Sequence, residues 1–269
     1  MKICLHKAGC VSAIGLGTWG MGGGLWTVDS SRDSIWIEAI RYAIERGLRL
    51  VDTAEMYGGG HTEELVGLAI RGFPREELYV VTKVWPNHAR FDDVIKSAGA
   101  SAKRLGTYID LYLLHWPSDV APICETIRAF EVLTDRGVIR HFGVSNFTLR
   151  QLQEAESCVK RYEIAAVQNR YSLYYRQDER DLIPYVLSSG MMYMAYTPLE
   201  KGVLAKDPRL VEMGKKYGAT AVQMALAWYV KRGIVPIPKA ERKDHIDEIA
   251  GALKIDLSDE DFRHMSSWR

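Results

Sequence analysis

Three features that this chain lacks limit what it can be. Its 269 residues contain no apolar stretch of the roughly 18 residues that a membrane-spanning helix needs, and the N-terminus lacks the apolar stretch of a signal peptide. The net charge is only +1, which gives no electrostatic reason to expect nucleic acid or an anionic membrane as partner. These absences predict a soluble, cytoplasmic protein with no nucleic-acid or membrane partner.

Cysteine is also scarce, and the four cysteines include no pair at the spacing of a metal finger or a redox motif. We therefore predict that Cys4, Cys10, Cys124 and Cys158 are buried thiols and that the protein holds no metal. No Ser- or Pro-rich linker interrupts the chain, so we predict one domain over residues 1–269.

The chain does contain a regular alternation of two patterns. Short apolar runs typical of buried strands lie at Ile14–Thr18, Leu48–Asp52, Leu78–Val84, Ile109–His115, Val138–Val144, Ile164–Asn169, Met191–Tyr196 and Ile234–Pro238. Helical spacing of apolar residues follows at Arg32–Arg46, Thr62–Arg71, Asp92–Leu105, Ala121–Arg136, Thr148–Val159, Asp178–Ser189, Thr220–Lys231, Arg242–Leu253 and Ser258–Met265. Eight strands alternating with helices, in a chain near the roughly 250 residues typical of such folds, predict an α/β protein with a (β/α)8 TIM barrel.

One glycine motif favours a different interpretation. The segment Gly15–Gly20 fits the G-x-G-x-x-G pattern of a dinucleotide-binding turn, but that turn should lead directly into a helix. Here three more glycines and Trp26 intervene before any helical pattern begins. We therefore interpret the segment as part of a glycine-rich loop after the first strand.

Four polar residues stand at or just beyond the ends of strand-like runs: Asp52, Tyr57, Lys83 and His115. Each alone has an ordinary structural explanation, such as a loop cap or a hydrogen-bonded core histidine. Lys83, however, ends an apolar run and would be a buried cation without an anion nearby, and Asp52 is the obvious counter-ion. Because the carboxyl ends of barrel strands meet at one face, we expect one shared pocket.

This set suits reversible hydride transfer to a carbonyl, in which a proton must reach the oxygen as negative charge develops there. Tyr57 can supply that proton, and we expect the ammonium of Lys83 to lower the pKa of its phenol. Asp52 would hold Lys83 charged and oriented. His115, if neutral, could donate a hydrogen bond to the carbonyl and fix its angle.

Five motifs containing these residues are similar to those of the aldo-keto reductase family. They are D-T-A-E-M-Y-G at 52–58, V-T-K-V-W at 81–85, L-L-H-W-P at 113–117, G-V-S-N-F at 143–147 and I-P-K at 237–239. The resemblance covers nearly the whole chain. It implies a barrel that binds NADPH at its C-terminal face, with Asp52, Tyr57, Lys83 and His115 as the catalytic four.

The resemblance also implies a cofactor site. Ser145, Asn146 and Gln168 match residues that hold the nicotinamide carboxamide, and Tyr196 matches the aromatic residue that stacks under the ring. The full set of expected cofactor-binding residues is Gly17, Thr18, Trp19, Ser145, Asn146, Gln168, Tyr196, Pro198, Leu199, Gly202, Lys239, His245 and Glu248.

The adenosine end departs from the family pattern. Where relatives commonly have Ser or Thr, then Arg, Glu and Asn, this chain has Ala240, His245, Glu248 and Ile249. Lys239 can still anchor a 2′-phosphate, with Arg242 or Lys243 as substitutes for the missing bidentate arginine. We therefore predict NADPH as the cofactor, NADH as an alternative, and a phosphate site weaker than usual.

The expected substrate is a small-molecule carbonyl compound with an apolar body, because Trp19, Trp85 and Trp116 match aromatic positions of the family's substrate pocket. The short connection Leu199–Pro208 and the chain end at Trp268–Arg269, soon after the last helix, predict an open pocket with weak selectivity. Two other functions remain open. Lys83 could form a Schiff base in an aldolase-type barrel, or the protein could be a non-catalytic nucleotide-binding regulatory subunit.

Overall fold

Eight parallel strands form one sheet whose spatial order follows the order of the chain. The computed structural model describes residues 1–268. A two-stranded antiparallel hairpin, β1 (Lys2–Leu5) and β2 (Gly9–Ser12), precedes the sheet. The parallel strands are β3 (Gly15–Gly17), β4 (Leu50–Asp52), β5 (Tyr79–Val84), β6 (Ile109–Leu114), β7 (Ile139–Ser145), β8 (Ile164–Arg170), β9 (Met192–Tyr196) and β10 (Val235–Ile237). The backbone N–H of Gly17 donates to the carbonyl of Pro238 at 2.9 Å, which brings the two edges of the sheet together into a barrel.

Helices cover the outside of this barrel. They are α1 (Asp33–Glu45), α2 (His61–Ile70), α3 (Phe91–Leu105), α4 (Ile123–Asp135), α5 (Leu149–Cys158), α6 (Leu182–Ser188), α7 (Pro208–Tyr217), α8 (Ala221–Lys231), α9 (Lys243–Gly251) and α10 (Asp259–Ser266). Trp36, Ile40 and Ile44 show the pattern, because their spacing places them on one buried face of α1. Within residues 1–268, no helix is both long enough and apolar enough to cross a membrane.

The predicted (β/α)8 barrel is confirmed, with each of the eight predicted strands present and its bounds close to those expected. Two elements were not predicted: the hairpin β1–β2 and helix α7. The hairpin places Ala8 and Val11 in a buried cluster with Leu50 and Leu111 of the barrel interior. The hairpin therefore helps to fill the barrel. Helix α7 begins with a recognisable start signal in the sequence, because Asp207 caps it and Pro208 is its first residue.

The prediction of buried thiols is wrong. Cys4 and Cys10 are exposed and form a disulfide across the hairpin, where they stand opposite each other in the strand register. Cys124 on α4 and Cys158 at the end of α5 form a second disulfide. Spacing along the chain did not reveal these pairs, because a turn and the packing of adjacent helices bring the cysteines together.

The barrel needs a glycine at position 143, where β7 and β8 lie close together. A Cβ atom there would overlap the carbonyl oxygen of Ala166 on β8 and lie 2.9 Å from Cδ2 of Leu113. Both neighbours belong to the barrel, so neither can move freely. Gly99 on α3 offers a contrast, because a Cβ atom there would meet nothing within 4 Å.

We expect Gly143→Ala to lower the free energy of unfolding by about 1–3 kcal/mol through overpacking. The matched variant Gly99→Ala should raise it by roughly 0.5–1 kcal/mol, because alanine has less backbone entropy to lose in an exposed helix. Urea denaturation followed by circular dichroism measures both. Equal effects of the two substitutions would contradict the close packing of β7 against β8.

Candidate active site

A buried ion pair joins the ends of β4 and β5. Lys83 is 0 % exposed, and its Nζ donates to Oδ2 of Asp52 at 2.7 Å and to the carbonyl of Thr53 at 2.8 Å. Burial alone would lower the pKa of Lys83, but the charge and hydrogen bond of Asp52, together with Tyr57, outweigh burial and raise it. Lys83 is therefore a fixed cation, and the predicted pairing with Asp52 is present.

Tyr57 lies within reach of that cation. The Nζ of Lys83 also donates to Oη of Tyr57 at 3.4 Å, and the tyrosine ring packs edge-on against Trp19 and His115. Burial raises the pKa of Tyr57, and the charge of Lys83 lowers it. The charge of Asp52 also raises it, so the pKa of Tyr57 lies above its usual value. Lys83 does lower the pKa of Tyr57, as predicted, but the cost of burying a phenolate exceeds the attraction of the ammonium, so the net shift is upward. The phenol keeps its proton at neutral pH.

His115 follows β6 and is neutral. Burial, with a further contribution from the charge of Lys83, lowers the pKa of His115 well below its usual value. Its Nδ1 is buried and has no hydrogen-bond partner within the described residues. The ring meets Trp85 edge-on, with centroids 5.4 Å apart. A neutral imidazole beside Tyr57 agrees with the expected role of a hydrogen-bond donor to a carbonyl oxygen.

These side chains stand at one end of a cavity of about 760 Å3. Twelve of the thirteen expected cofactor residues line it, together with Trp85, Trp116, Asp52, Tyr57 and His115. The thirteenth, Thr18, does not line the cavity, and of the four residues predicted to be catalytic Lys83 does not line it either. Thr18 is fully buried and its hydroxyl donates to the carbonyl of Asp52 at 2.8 Å. The structure therefore corrects the assignment of Thr18: it supports Asp52 and does not face the cavity.

Asp52 is held from a second side by Gln168 on β8. Nε2 of Gln168 donates to Oδ1 of Asp52 at 2.7 Å, and the hydroxyl of Ser145 donates to the backbone carbonyl of Gln168 at 2.7 Å. Asn146 donates through Nδ2 to the carbonyl of His115 and accepts from the hydroxyl of Tyr196 at 2.6 Å. The residues expected to hold the carboxamide are thus hydrogen-bonded to residues of the catalytic group.

Lys239, His245 and Glu248, from the loop after β10 and from α9, also line the cavity, and we call this group its far end. Arg242 and Lys243, the candidate substitutes for the missing arginine, do not line the cavity. Arg242 pairs with Asp244, and Lys243 pairs with Glu38 on α1 at 2.6 Å.

Sequence reasoning missed part of the lining. The additional residues are Leu25, Met56, Thr197, Lys201, Ala205, Val222, Ile237, Pro238 and Ile249. Leu25 forms a β-bridge with Tyr57, so the glycine-rich loop folds over Tyr57. Pro238 belongs to the I-P-K motif, and that motif could have indicated it. Val222 lies in the first turn of α8, and no sequence signal marks it.

Comparisons with known proteins agree with this arrangement. The profile described as Aldo/keto reductase family matches residues 13–269. The chain belongs to the aldo/keto reductase family. It is 38 % identical to the methylglyoxal reductase YeaE of Escherichia coli K12, covering 91 % of this chain and 87 % of that protein.

Solved structures of relatives share the whole fold. One is the thermostable aldo-keto reductase Tm1743 in complex with epalrestat, with a TM-score of 0.94, 42 % identity and 99 % coverage of both chains. Another is an aldo/keto reductase from Klebsiella pneumoniae in complex with NADP and acetate, with a TM-score of 0.88, 36 % identity, and coverage of 98 % of this chain and 94 % of that one. The predicted class of enzyme, an NAD(P)H-dependent oxidoreductase of this family, is confirmed.

The neutral state of His115 predicts how stability depends on pH. Because its pKa is lowered in the folded protein, the unfolded chain binds more protons below about pH 6.5, and stability falls as the pH falls. For one such group the loss by pH 5.5 is on the order of 1 kcal/mol. We expect His115→Gln to lose less stability than the wild type between about pH 7.5 and 5.5. Denaturant unfolding at both pH values tests this, and an identical pH dependence would contradict it.

Proposed function

We propose that this protein reduces aldehydes, with ketones as a second substrate class, and that Tyr57 donates the proton. The observation that carries the proposal is the contact of Tyr57 Oη with the buried Lys83–Asp52 pair, 3.4 Å from Lys83 Nζ, beside neutral His115. Relatives with matching function include the methylglyoxal reductase of Escherichia coli and a glyoxal reductase of Bacillus subtilis.

The proposed cofactor is NADPH, with NADH as an alternative. The cavity offers side-chain amides of Asn146 and Gln168 beside Tyr57, and the ammonium of Lys239 at its far end. An amide end suits a carboxamide, and a cationic end suits a phosphate. Its volume lies within the roughly 300–1,000 Å3 usual for ligand sites. Two relatives from Klebsiella pneumoniae were solved with NADP or NADPH. Because NADPH is an intracellular cofactor, we propose the cytoplasm as the place of action.

When bound, the cofactor supplies a hydride to the carbonyl carbon. Tyr57 holds its proton until negative charge develops on the carbonyl oxygen, because the buried phenol has a raised pKa. Lys83 then stabilises the phenolate that remains, and Asp52 keeps Lys83 in place. His115 orients the carbonyl with its N–H group. The protein therefore contributes a positioned acid and a preorganised cation.

The substrate end of the cavity is apolar and open to solvent. Trp19 and Trp116 are each 45 % exposed at its rim, and Met56 and Trp85 line it. Flat aromatic walls accept many shapes but fix few polar groups, so we propose broad carbonyl reduction with weak selectivity.

The geometry gives no support to the aldolase alternative. A Schiff base needs an amine that substrate can reach, whereas Lys83 is fully buried, does not line the cavity and has a raised pKa. We expect borohydride reduction in the presence of an aldehyde to leave Lys83 unmodified, as read by peptide mass spectrometry. A stable adduct on Lys83 would support the aldolase function instead.

We expect Tyr57→Phe to lower kcat by at least about a hundredfold while the Kd for NADPH stays nearly unchanged, because the hydroxyl acts chiefly in the transition state. The matched control is Tyr185→Phe, which removes a hydroxyl bonded to Glu156 between two outer helices. NADPH oxidation with a panel of aldehydes, ketones and keto acids measures turnover.

Unchanged turnover in Tyr57→Phe would remove Tyr57 from the proposed role. Failure of the wild type to oxidise NADPH with any of these carbonyls, despite tight NADPH binding, would favour the regulatory subunit.

A further inference from the structure

Lys239, the cation expected to meet a 2′-phosphate, is already paired. Its Nζ lies 2.6 Å from Oε1 of Glu241, two residues later in the loop between β10 and α9. The other oxygen, Oε2, lies 3.0 Å from Arg32, the residue just before α1. One carboxylate therefore joins two cations at the far end of the cavity.

Glu241 carries its charge at neutral pH. Burial would raise its pKa, but Lys239 and Arg32 outweigh burial and hold the pKa below the usual value. Its side chain is only 20 % exposed, whereas that of Lys239 is 38 % exposed. The carboxylate is therefore less screened by water than a surface charge, and it offsets the charge of Lys239 where a ligand would meet it.

Among residues 1–268, the basic neighbours of Lys239 do not restore this charge to the cavity lining: Arg32 is held against Glu241 and does not line the cavity. Arg242 and Lys243, the nearest basic residues along the chain, are paired with Asp244 and Glu38 and do not line the cavity. Glu248 lines the cavity here, whereas Glu241 does not line it and acts on it through its contact with Lys239. A phosphate entering here must displace Glu241 from Lys239 or lie beside its charge, and both cost free energy.

The carboxylate of Glu241 has the opposite effect on a ribose whose 2′-hydroxyl carries no phosphate. A ribose 2′-OH can donate a hydrogen bond to a carboxylate, and other dinucleotide-binding folds use an acidic residue in this way to accept NADH. We propose that Glu241 is a specificity-determining residue that reduces the preference of this protein for a 2′-phosphorylated over an unphosphorylated nicotinamide dinucleotide. This inference rests on the proposed function, in which the Lys239 end of the cavity receives the adenosine part of the cofactor.

The test is a binding measurement on the intact chain without substrate. Quenching of tryptophan fluorescence reports Kd for NADPH and for NADH, since Trp19, Trp85 and Trp116 line the cavity. The variants are Glu241→Gln and a control, Glu77→Gln, which removes the same charge from an exposed ion pair with Arg49 outside the cavity lining. Thermal unfolding of each variant confirms that it is folded.

We expect Glu241→Gln to lower Kd for NADPH by about three- to tenfold, while Kd for NADH is unchanged or rises. Glu77→Gln should change neither. The gain should shrink at high salt, because the interaction is electrostatic. An unchanged Kd for NADPH in Glu241→Gln, or an equal change for both cofactors, would overturn the inference.

A double-mutant cycle locates the effect. Lys239→Met should weaken NADPH binding more in the Glu241→Gln background than in the wild type, where Glu241 already neutralises Lys239. Additive effects would show that Glu241 does not act through Lys239 and would overturn this step. If neither NADPH nor NADH binds the wild type, the proposed function fails. If both bind but Glu241→Gln leaves the ratio of their Kd values unchanged, only this inference fails.

Discussion

The candidate site depends on one buried charge, the ammonium of Lys83. A lysine with no exposed surface is stable only if an anion and further acceptors surround it, and Asp52, Thr53 and Tyr57 supply them. Because Asp52 ends β4 and Lys83 lies on β5, pairing of these adjacent strands brings the two charges together. Gln168, from β8, holds the second oxygen of Asp52. A single carboxylate thus joins Lys83 to Gln168 on the opposite side of the barrel.

The pKa of Tyr57 depends on its burial, which the identities of its neighbours alone do not reveal. The nearby ammonium suggested a lowered pKa, but burial and the charge of Asp52 raise it more than Lys83 lowers it. A raised pKa suits the proposed role of Tyr57 as an acid that must arrive protonated, and in that proposal the same cation stabilises the phenolate that remains. Burial also keeps His115 neutral. One low-dielectric pocket therefore holds both a protonated phenol and an uncharged imidazole at neutral pH.

The sequence predicted the barrel because its buried strands read as apolar runs, and it predicted Asp52, Tyr57 and His115 because polar groups at strand ends need a reason. It could not reveal what depends on three-dimensional proximity. Cys124 and Cys158 meet only because α4 and α5 pack together. Thr18, assigned to the cofactor, turns inward to Asp52. The sequence did not single out Glu241, and its contact with Arg32 depends on the packing of α1 against α9.

The two ends of the cavity differ in how their charges are arranged, and this difference has a functional consequence. At the end that carries Tyr57, Lys83 is fully buried, and losing Asp52 would leave its charge uncompensated. At the far end, Lys239 and Glu241 are partly exposed, so water can replace a lost partner at modest cost. The Lys83–Asp52 pair is therefore tied to the stability of the fold, whereas the Lys239–Glu241 pair is not. If the proposed roles hold, a substitution in the loop between β10 and α9 would alter cofactor preference without disturbing the proposed acid, Tyr57.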